Sequence, residues 1–544
     1  MASTTLSMIR SDEVQISQRR VWIVLLFLFG ILIYTGLPSG NLNGNDYIEL
    51  LAVQSNDAER LYDPNHLLFR PLVNSLYYAQ DSLGLDMSLT DVGLRVVSLS
   101  AIASLVLFYI WVARLVKSNF VAVAASIGFG ISWVVWFYST GTMYFMFSVA
   151  FVLVALNLLL TLLNQPPGHL PAGLLIMMGM ATAISILFWQ MNIFFVPSIL
   201  LVLYLRYRQS LPQTLKVIVV YLAAAAIVGL IFLIPASVQV LNARGTSWNL
   251  SDFIVWGLSY NSNRLSIWGV WDIARIPPVA LSALGTIVPA WAGLGLRPLL
   301  HGDIQPDKLI ALFSLVALGV MLVLPVIHQL RRRSLGSGHF RFLLLLALGS
   351  FFYIPFMVWW DPTDPHWLFI PLIAFWTGLA VVWQPLMRSR IPQLVLAVSI
   401  ALIALANFSR TIWPHHADAN PLIAAADCLV EVMKPQDMYV GYQYDFSETL
   451  RLYYGQNAIS LIDNAAKVGV EPARADYEVM KTQVLTDGGV IYIRDPSDMD
   501  ADTHFWSWLD TATSLTHADI ESIVGDDATP AIQCGDYHYL RINS

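Results

Sequence analysis

Charge is scarce in this chain. Only 12% of its 544 residues are Asp, Glu, Lys or Arg, against about 25% in a soluble globular protein. The net charge is −7 and there is no long basic run, which excludes a nucleic-acid binder. Two cysteines in 544 residues exclude a disulfide scaffold. There is no P-loop, no dinucleotide glycine motif, no HExxH and no GxSxG, so nucleotide-driven catalysis and the familiar hydrolase sites are disfavoured. What is abundant is apolar. Hydrophobic residues make up 56%, with 18 Trp, 22 Tyr and 26 Phe, and the mean hydropathy is +0.61. These values describe a polytopic membrane protein.

The charge is also uneven. Residues 414–544 hold 21 of the 37 acids and 7 of the 30 bases, a net of −14. The expected organisation is a membrane body over 1–413, with long outside loops at 38–91 and 242–308, followed by an acidic soluble domain over 414–544. Runs of apolar residues near Val21–Leu37, Val92–Leu115, Phe120–Tyr138, Met143–Leu163, Pro171–Phe188, Met191–Leu205, Val217–Leu241, Leu309–Leu330, Phe342–Trp360, Trp367–Trp383 and Gln393–Asn407 read as eleven spans. The first lacks a convincing small-residue cleavage site after it and reads as a retained anchor. A weaker run, Pro278–Leu296, contains Pro289 and several glycines. If it is re-entrant or interfacial, Arg331–Arg333, Arg341, Arg388 and Arg390 fall inside with Arg10, Arg19, Arg20, Arg114, Lys117, Arg206, Arg208 and Lys216. The positive-inside rule then sets a cytoplasmic N-terminus and an outside C-terminal domain.

The second long loop carries Trp248, Trp256, Tyr260, Trp268 and Trp271, a spacing that suits short interfacial amphipathic helices or an aromatic belt. The acidic tail reads as α/β: helices over Pro421–Met433 and Phe446–Tyr454, and strands over Met438–Gly441, Gly489–Ile493 and Tyr537–Ile542. Cys428 and Cys534 both lie in it, where an oxidising compartment would permit a disulfide.

Candidate chemistry clusters at the outside ends of spans. Asp46 and Glu49 follow the first span at i and i+3, which puts both on one helix face. There they serve as a base at the membrane surface or as favourable acids at a helix N-terminus. Asp63-Pro-Asn-His66-Leu-Leu-Phe-Arg70-Pro brackets one His and one Arg between prolines. His66 suits a substrate oxygen and Arg70 a phosphate, the alternative being a packed loop. Trp359-Trp-Asp361-Pro-Thr-Asp364-Pro-His366-Trp367 gathers Asp361, Asp364 and His366 among tryptophans. This hairpin suits a sugar or a divalent metal completed by Asp46, although Pro and Asp also simply make turns. Arg95 lies about one turn inside a span, and Arg244, Arg264 and Arg275 share the second loop. Each fits an anionic lipid phosphate or ordinary headgroup snorkelling.

This layout resembles the GT-C class of membrane glycosyltransferases, which includes protein O-mannosyltransferases, the aminoarabinose transferase of lipid A and oligosaccharyltransferases. The resemblance rests on a first span ending in an acidic outside loop with Asn45-Asp46-Tyr47-Ile48-Glu49, on about eleven spans and on the outside tail. The DPNHLLFRPL and WWDPTDPHWLF stretches look like segments of bacterial members. Glu49 stands three positions after Asp46 rather than beside it. The resemblance implies an α-helical polytopic GT-C fold with a C-terminal α/β domain in a bacterial plasma membrane. It also implies sugar transfer from a polyprenyl-phosphate donor to a glycan, lipid or protein acceptor, with inversion and Asp46 as base. A lipid-phosphate or glycolipid flippase is the competing class, but it is expected to carry ionisable groups in mid-span.

Overall fold

The computed structural model describes residues 18–39, 44–55, 57–116, 118–165, 171–256, 271–291, 306–332, 350, 353–359, 365–387, 389–416, 421–441, 444–461, 470–495, 528–535 and 537–542. The chain divides into two units. One holds Ala52–Trp413 with the first 38 residues, and the other holds Pro414–Ser544 with Ser39–Leu51.

The first unit is helical. In chain order it contains α1 (Gln18–Thr35), the end of α2 (Gly44–Ser55), α3 (Phe69–Ser82), α4 (Leu89–Leu115), α5 (Asn119–Ile131), α6 (Trp133–Ser139), α7 (Phe145–Asn164), α8 (Ala172–Phe188), α9 (Val196–Tyr207), α10 (Leu211–Ala243), α11 (Ile276–Gly285), α12 (Pro306–Arg332), α13 (Phe369–Trp383) and α14 (Arg390–Asn407). Among the described residues eight helices are long and apolar enough to cross a membrane. Counted as one broken span, the bent pair α5 and α6 brings the number to nine. α8, at 17 residues, is a shorter apolar helix. Of the expected span Phe342–Trp360 only residue 350 and the helical stretch 353–359 are described.

The bend between α5 and α6 is 62°, and it shows how broken backbone is accommodated inside a membrane body. Ser132 leaves the helical region (φ −56°, ψ 133°), so nearby backbone groups lose their ladder partners. The Ser132 hydroxyl donates to the Gly128 carbonyl at 2.8 Å, and Trp376 Nε1 donates to Ser132 Oγ at 3.1 Å. Asn407 Nδ2 donates to the Ile131 carbonyl at 2.7 Å and to the Ile287 carbonyl at 2.6 Å. The first donors of α6, the N–H groups of Trp133 and Val134, bond to the carbonyls of Ile287 and Thr286. The segment expected to be re-entrant thus docks by its backbone into the break, with Thr286, Ile287 and Val288 buried. α11, at 10 residues, is about 15 Å long and too short to cross about 30 Å of hydrocarbon. Irregular backbone at this depth is tolerated where protein satisfies it.

Close packing elsewhere depends on glycine. A Cβ on Gly128 would lie 2.4 Å from the Trp376 ring, and one on Gly179 would lie 2.4 Å from the Tyr221 carbonyl, where α8 meets α10.

The second unit carries a five-stranded sheet of order β2-β1-β3-β5-β4. Its strands are β1 (Met438–Gly441), β2 (Asn457–Ser460), β3 (Ile491–Arg494), β4 (Thr529–Cys534) and β5 (Tyr537–Ile542). β1 pairs in parallel with β2 and β3, and the β5–β4 hairpin closes the sheet antiparallel. Along β1, Met438 and Val440 enter one apolar cluster and Tyr439 another, as alternating side chains of a strand covered on both faces must. Helices Pro421–Val432, Tyr444–Tyr454 and Val470–Thr486 complete the α/β unit. Cys428 and Cys534 form a disulfide, Cα–Cα 5.8 Å, tying the first of these helices to β4. Burial pushes the Tyr439 hydroxyl well above its usual pKa, so this tyrosine stays neutral. Ser39 bridges antiparallel to His416.

Candidate active site

The loop before α3 is built by short-range capping. Asp57 accepts from the Glu59 N–H at 3.1 Å and starts a single turn, Ala58–Leu61. Asp63 Oδ1 accepts from the Asn65 N–H at 2.8 Å, the side-chain turn that Asp favours. The loop is then pinned to the end of α8. Leu68 N–H donates to the Leu187 carbonyl at 3.2 Å and Gln190 N–H to the Asn65 carbonyl at 3.0 Å. The Gln190 amide also donates to Asn65 Oδ1.

Pinned this way, three ionisable side chains converge in the interior. Asp63, His66 and Arg70 are 2%, 6% and 4% exposed. Asp63 Oδ2 lies 3.5 Å from His66 Nε2 and 3.6 Å from Arg70 Nη2. Arg70 Nη2 lies 3.3 Å from His66 Nε2, and Arg70 Nη1 donates to the Arg60 carbonyl. A guanidinium only donates, so the Arg70–His66 contact requires the imidazole Nε2 to accept. Arg70 is thus bound to the loop that it stabilises.

The cluster continues through rings. His66 lies 4.2 Å from Tyr144, Tyr144 4.5 Å from Phe145, and Phe145 stacks on His366 at 4.6 Å, all between centroids. Trp189 meets Phe145 edge-on at 5.2 Å and stacks on Trp367 at 5.6 Å. The two motifs singled out in the sequence are therefore joined by Tyr144, Phe145 and Trp189. Those three escaped sequence reading because they sit at the ends of apolar runs. The polar interruptions Thr140-Gly-Thr142 and Gln190-Met-Asn192 were the available signal. His366 and Trp367 are buried at 7% and 9% exposed.

The other candidates are dispersed. Arg275 Nη1 donates to the Trp359 carbonyl at 3.2 Å, which brings the second loop to the tryptophan hairpin. Arg244 pairs with Glu59 at 3.2 Å, both about 40% exposed or more, a surface pair worth about 0–1 kcal/mol. Arg95 is exposed on the second turn of α4 and meets no hydrogen-bond or ion-pair partner among the described residues. Asp361, Asp364 and Arg264 lie outside the described residues. Asp46 and Glu49 occupy α2 and are both buried, at 2% and 3% exposed. Among the described residues no group of three His, Cys, Asp or Glu converges as a metal site.

No protein-family model matches the chain, and no curated protein matches it. Solved structures do. ArnT from Cupriavidus metallidurans bound to undecaprenyl phosphate is 12% identical with a TM-score of 0.57, over 96% of this chain and 98% of that one. The Archaeoglobus fulgidus oligosaccharyltransferase in complex with Zn and sulfate is 13% identical with a TM-score of 0.51, over 95% of this chain and 72% of that one. The chain therefore has the fold of the GT-C class of membrane glycosyltransferases, an α-helical multi-pass body followed by a C-terminal α/β unit.

Proposed function

We propose that the protein is a membrane glycosyltransferase that moves a sugar from a polyprenyl-phosphate donor to an acceptor hydroxyl on the outer face of the membrane. The observation that carries this reading is the buried carboxylate Asp46, with Glu49 on the same helix face, directly after the first span of a GT-C fold. The first outside loop is where the class keeps its catalytic acid.

In this mechanism Asp46 takes the proton from the acceptor hydroxyl as that oxygen attacks the anomeric carbon. The bond from the anomeric carbon to the phosphate oxygen breaks, and the lipid phosphate leaves with the electron pair. Direct displacement inverts the anomeric centre. Negative charge grows on the leaving phosphate, and arginine donors stabilise it. Arg70, Arg244, Arg264, Arg275 and Arg95 are the candidates, and Arg275 is favoured by its place beside the Trp359 carbonyl. Glu49 orients the site, and His66, His366, Asp361 and Asp364 bind substrate. A sugar and its acceptor of unspecified kind complete the reaction, and a divalent metal at the aspartate hairpin is compatible with it.

Asp46→Asn keeps size and hydrogen bonding but cannot accept a proton, and general-base loss slows turnover by about 10²–10⁴ fold. Sugar release from a polyprenyl-phosphate donor by purified protein in lipid reads this directly.

A further inference from the structure

Where α1 begins and α4 and α7 finish, Arg19 and Arg114 are brought together. Arg19 Nη2 donates to the Ala113 carbonyl at 3.2 Å. Arg114, the next residue of α4, is held from α7. Its Nη1 donates to the Asn157 carbonyl at 2.8 Å and its Nη2 to Thr161 Oγ1 at 2.8 Å. Asn157 is fixed in turn, since its amide donates to the Leu107 and Leu153 carbonyls. Both guanidiniums are half-buried and rest on neutral acceptors, and the field of Arg19 reaches Arg114.

Capping explains each of these bonds singly, because cations suit the last carbonyls of a helix. It does not explain two like charges held together. Arg70 has Asp63, Arg244 has Glu59 and Arg474 has Glu471. Arg19 and Arg114 form no ion pair among the described residues. The acids nearest to Arg19 in the chain, Asp12 and Glu13, lie outside the described residues. Arg19 Nε and the Tyr109 hydroxyl are buried and meet no hydrogen-bond partner among the described residues, whereas buried polar groups normally have one. The field of Arg19 reaches Tyr109 as well. Paired positive charge with donors to spare calls for an anion, and guanidinium forks fit phosphate oxygens.

The surface beside the pair says which anion. Leu99, Ala103, Leu107 and Ile110 precede Arg114 at helical spacing and share its face of α4. Leu99 and Ala103 are exposed, and Leu107 and Ile110 are half-buried. On a 27-residue helix of mean hydropathy 2.3, such a stripe meets bilayer hydrocarbon, and it ends at the arginine. An acyl chain lying on it delivers its headgroup there, whereas a free phosphate ion has no use for the stripe. On the proposed sidedness this end faces the cytoplasm, where the leaflet is anionic and basic clusters between helices take lipid headgroups.

We propose that Arg19 and Arg114 bind the phosphate of an anionic phospholipid whose acyl chain lies along the Leu99–Ile110 face of α4, clamping the start of α1 to the ends of α4 and α7. This site is at the opposite end of α1 from the loop that leads to Asp46, and it is independent of the sugar-transfer reading.

The test is lipid retention. Full-length protein in neutral detergent is titrated with phosphatidylglycerol or phosphatidylcholine, and bound lipid is counted by native mass spectrometry. One phosphatidylglycerol is expected to be held in preference to phosphatidylcholine. Arg19→Gln and Arg114→Gln are each expected to weaken it by about tenfold, equivalent to ~1.4 kcal/mol. Arg114 also caps α7, so if its variant does not fold, Arg19→Gln, which gives up a single printed bond at a helix start, decides alone. Equal retention of the two lipids, or unchanged phosphatidylglycerol affinity in folded Arg19→Gln protein, overturns the proposal. Complete displacement by inorganic phosphate shows an ion site and overturns it too. So does a tenfold gain in affinity on Asp12→Asn with Glu13→Gln, which would show those acids holding the arginines. The count needs no turnover, so it stands or falls separately from the Asp46 mechanism.

Discussion

Arg70 shows how a charged side chain can be read from sequence while its work cannot. Pro64 and Pro71, on either side of NHLLFR, make His66 and Arg70 visible as an ordered pair. Their joint geometry with Asp63 depends on Asn65, Leu187 and Gln190, and nothing in the spacing announces those long-range pins. Arg70→Lys keeps the charge but loses the planar fork. A single ammonium cannot satisfy both the Arg60 carbonyl and the His66 ring from that stem. Hydrogen bonds to charged groups contribute about 1.5–3 kcal/mol, so the variant is expected to unfold at lower temperature and to lose most of its turnover. A Tm equal to that of the parent protein contradicts the role given to the guanidinium here.

At the scale of elements, length and hydropathy made most spans legible, because a run of about 20 apolar residues seldom folds as anything but a span. The break at Ser132 was not legible. Its compensation comes from Asn407, Trp376 and the Thr286–Ile287 backbone, all distant in sequence. In the C-terminal unit the buried strands β1, β3 and β5 were legible from their apolar runs. β4 was missed because Pro530 and an exposed face mark it as an edge, and β2 because four residues carry no periodicity. The packing at the break makes its own prediction. Gly128→Ala drives a methyl into the Trp376 ring, which is fully buried and fixed by its bond to Ser132. Overpacking of this kind costs about 1–3 kcal/mol, and thermal unfolding in detergent should show it. Unchanged stability would mean that α5 and α13 can separate freely.

For the whole molecule, the sidedness we propose rests on the charge asymmetry and on the short segment after Pro278. The parity that places Arg331–Arg333 inside requires that residues 278–296 do not cross. The ten-residue α11 and the docking of Thr286–Ile287 at the broken span support that count. On that proposal the C-terminal unit lies outside, a compartment in which the Cys428–Cys534 disulfide is chemically at home. Neither cysteine is free, so an introduced thiol is the only one available to a maleimide. Arg332→Cys should label only after the membrane is permeabilised. Labelling in intact cells would reverse the sidedness and, with it, the face on which transfer is proposed.

The central claim is that Asp46 removes a proton in the transfer step. The most direct measurement is turnover of the Asp46→Asn protein on a polyprenyl-phosphate sugar in lipid, with Tm recorded alongside. The account predicts a folded protein slowed by about 10²–10⁴ fold, with Glu49→Gln slowed less. A folded Asp46→Asn protein with full activity contradicts it.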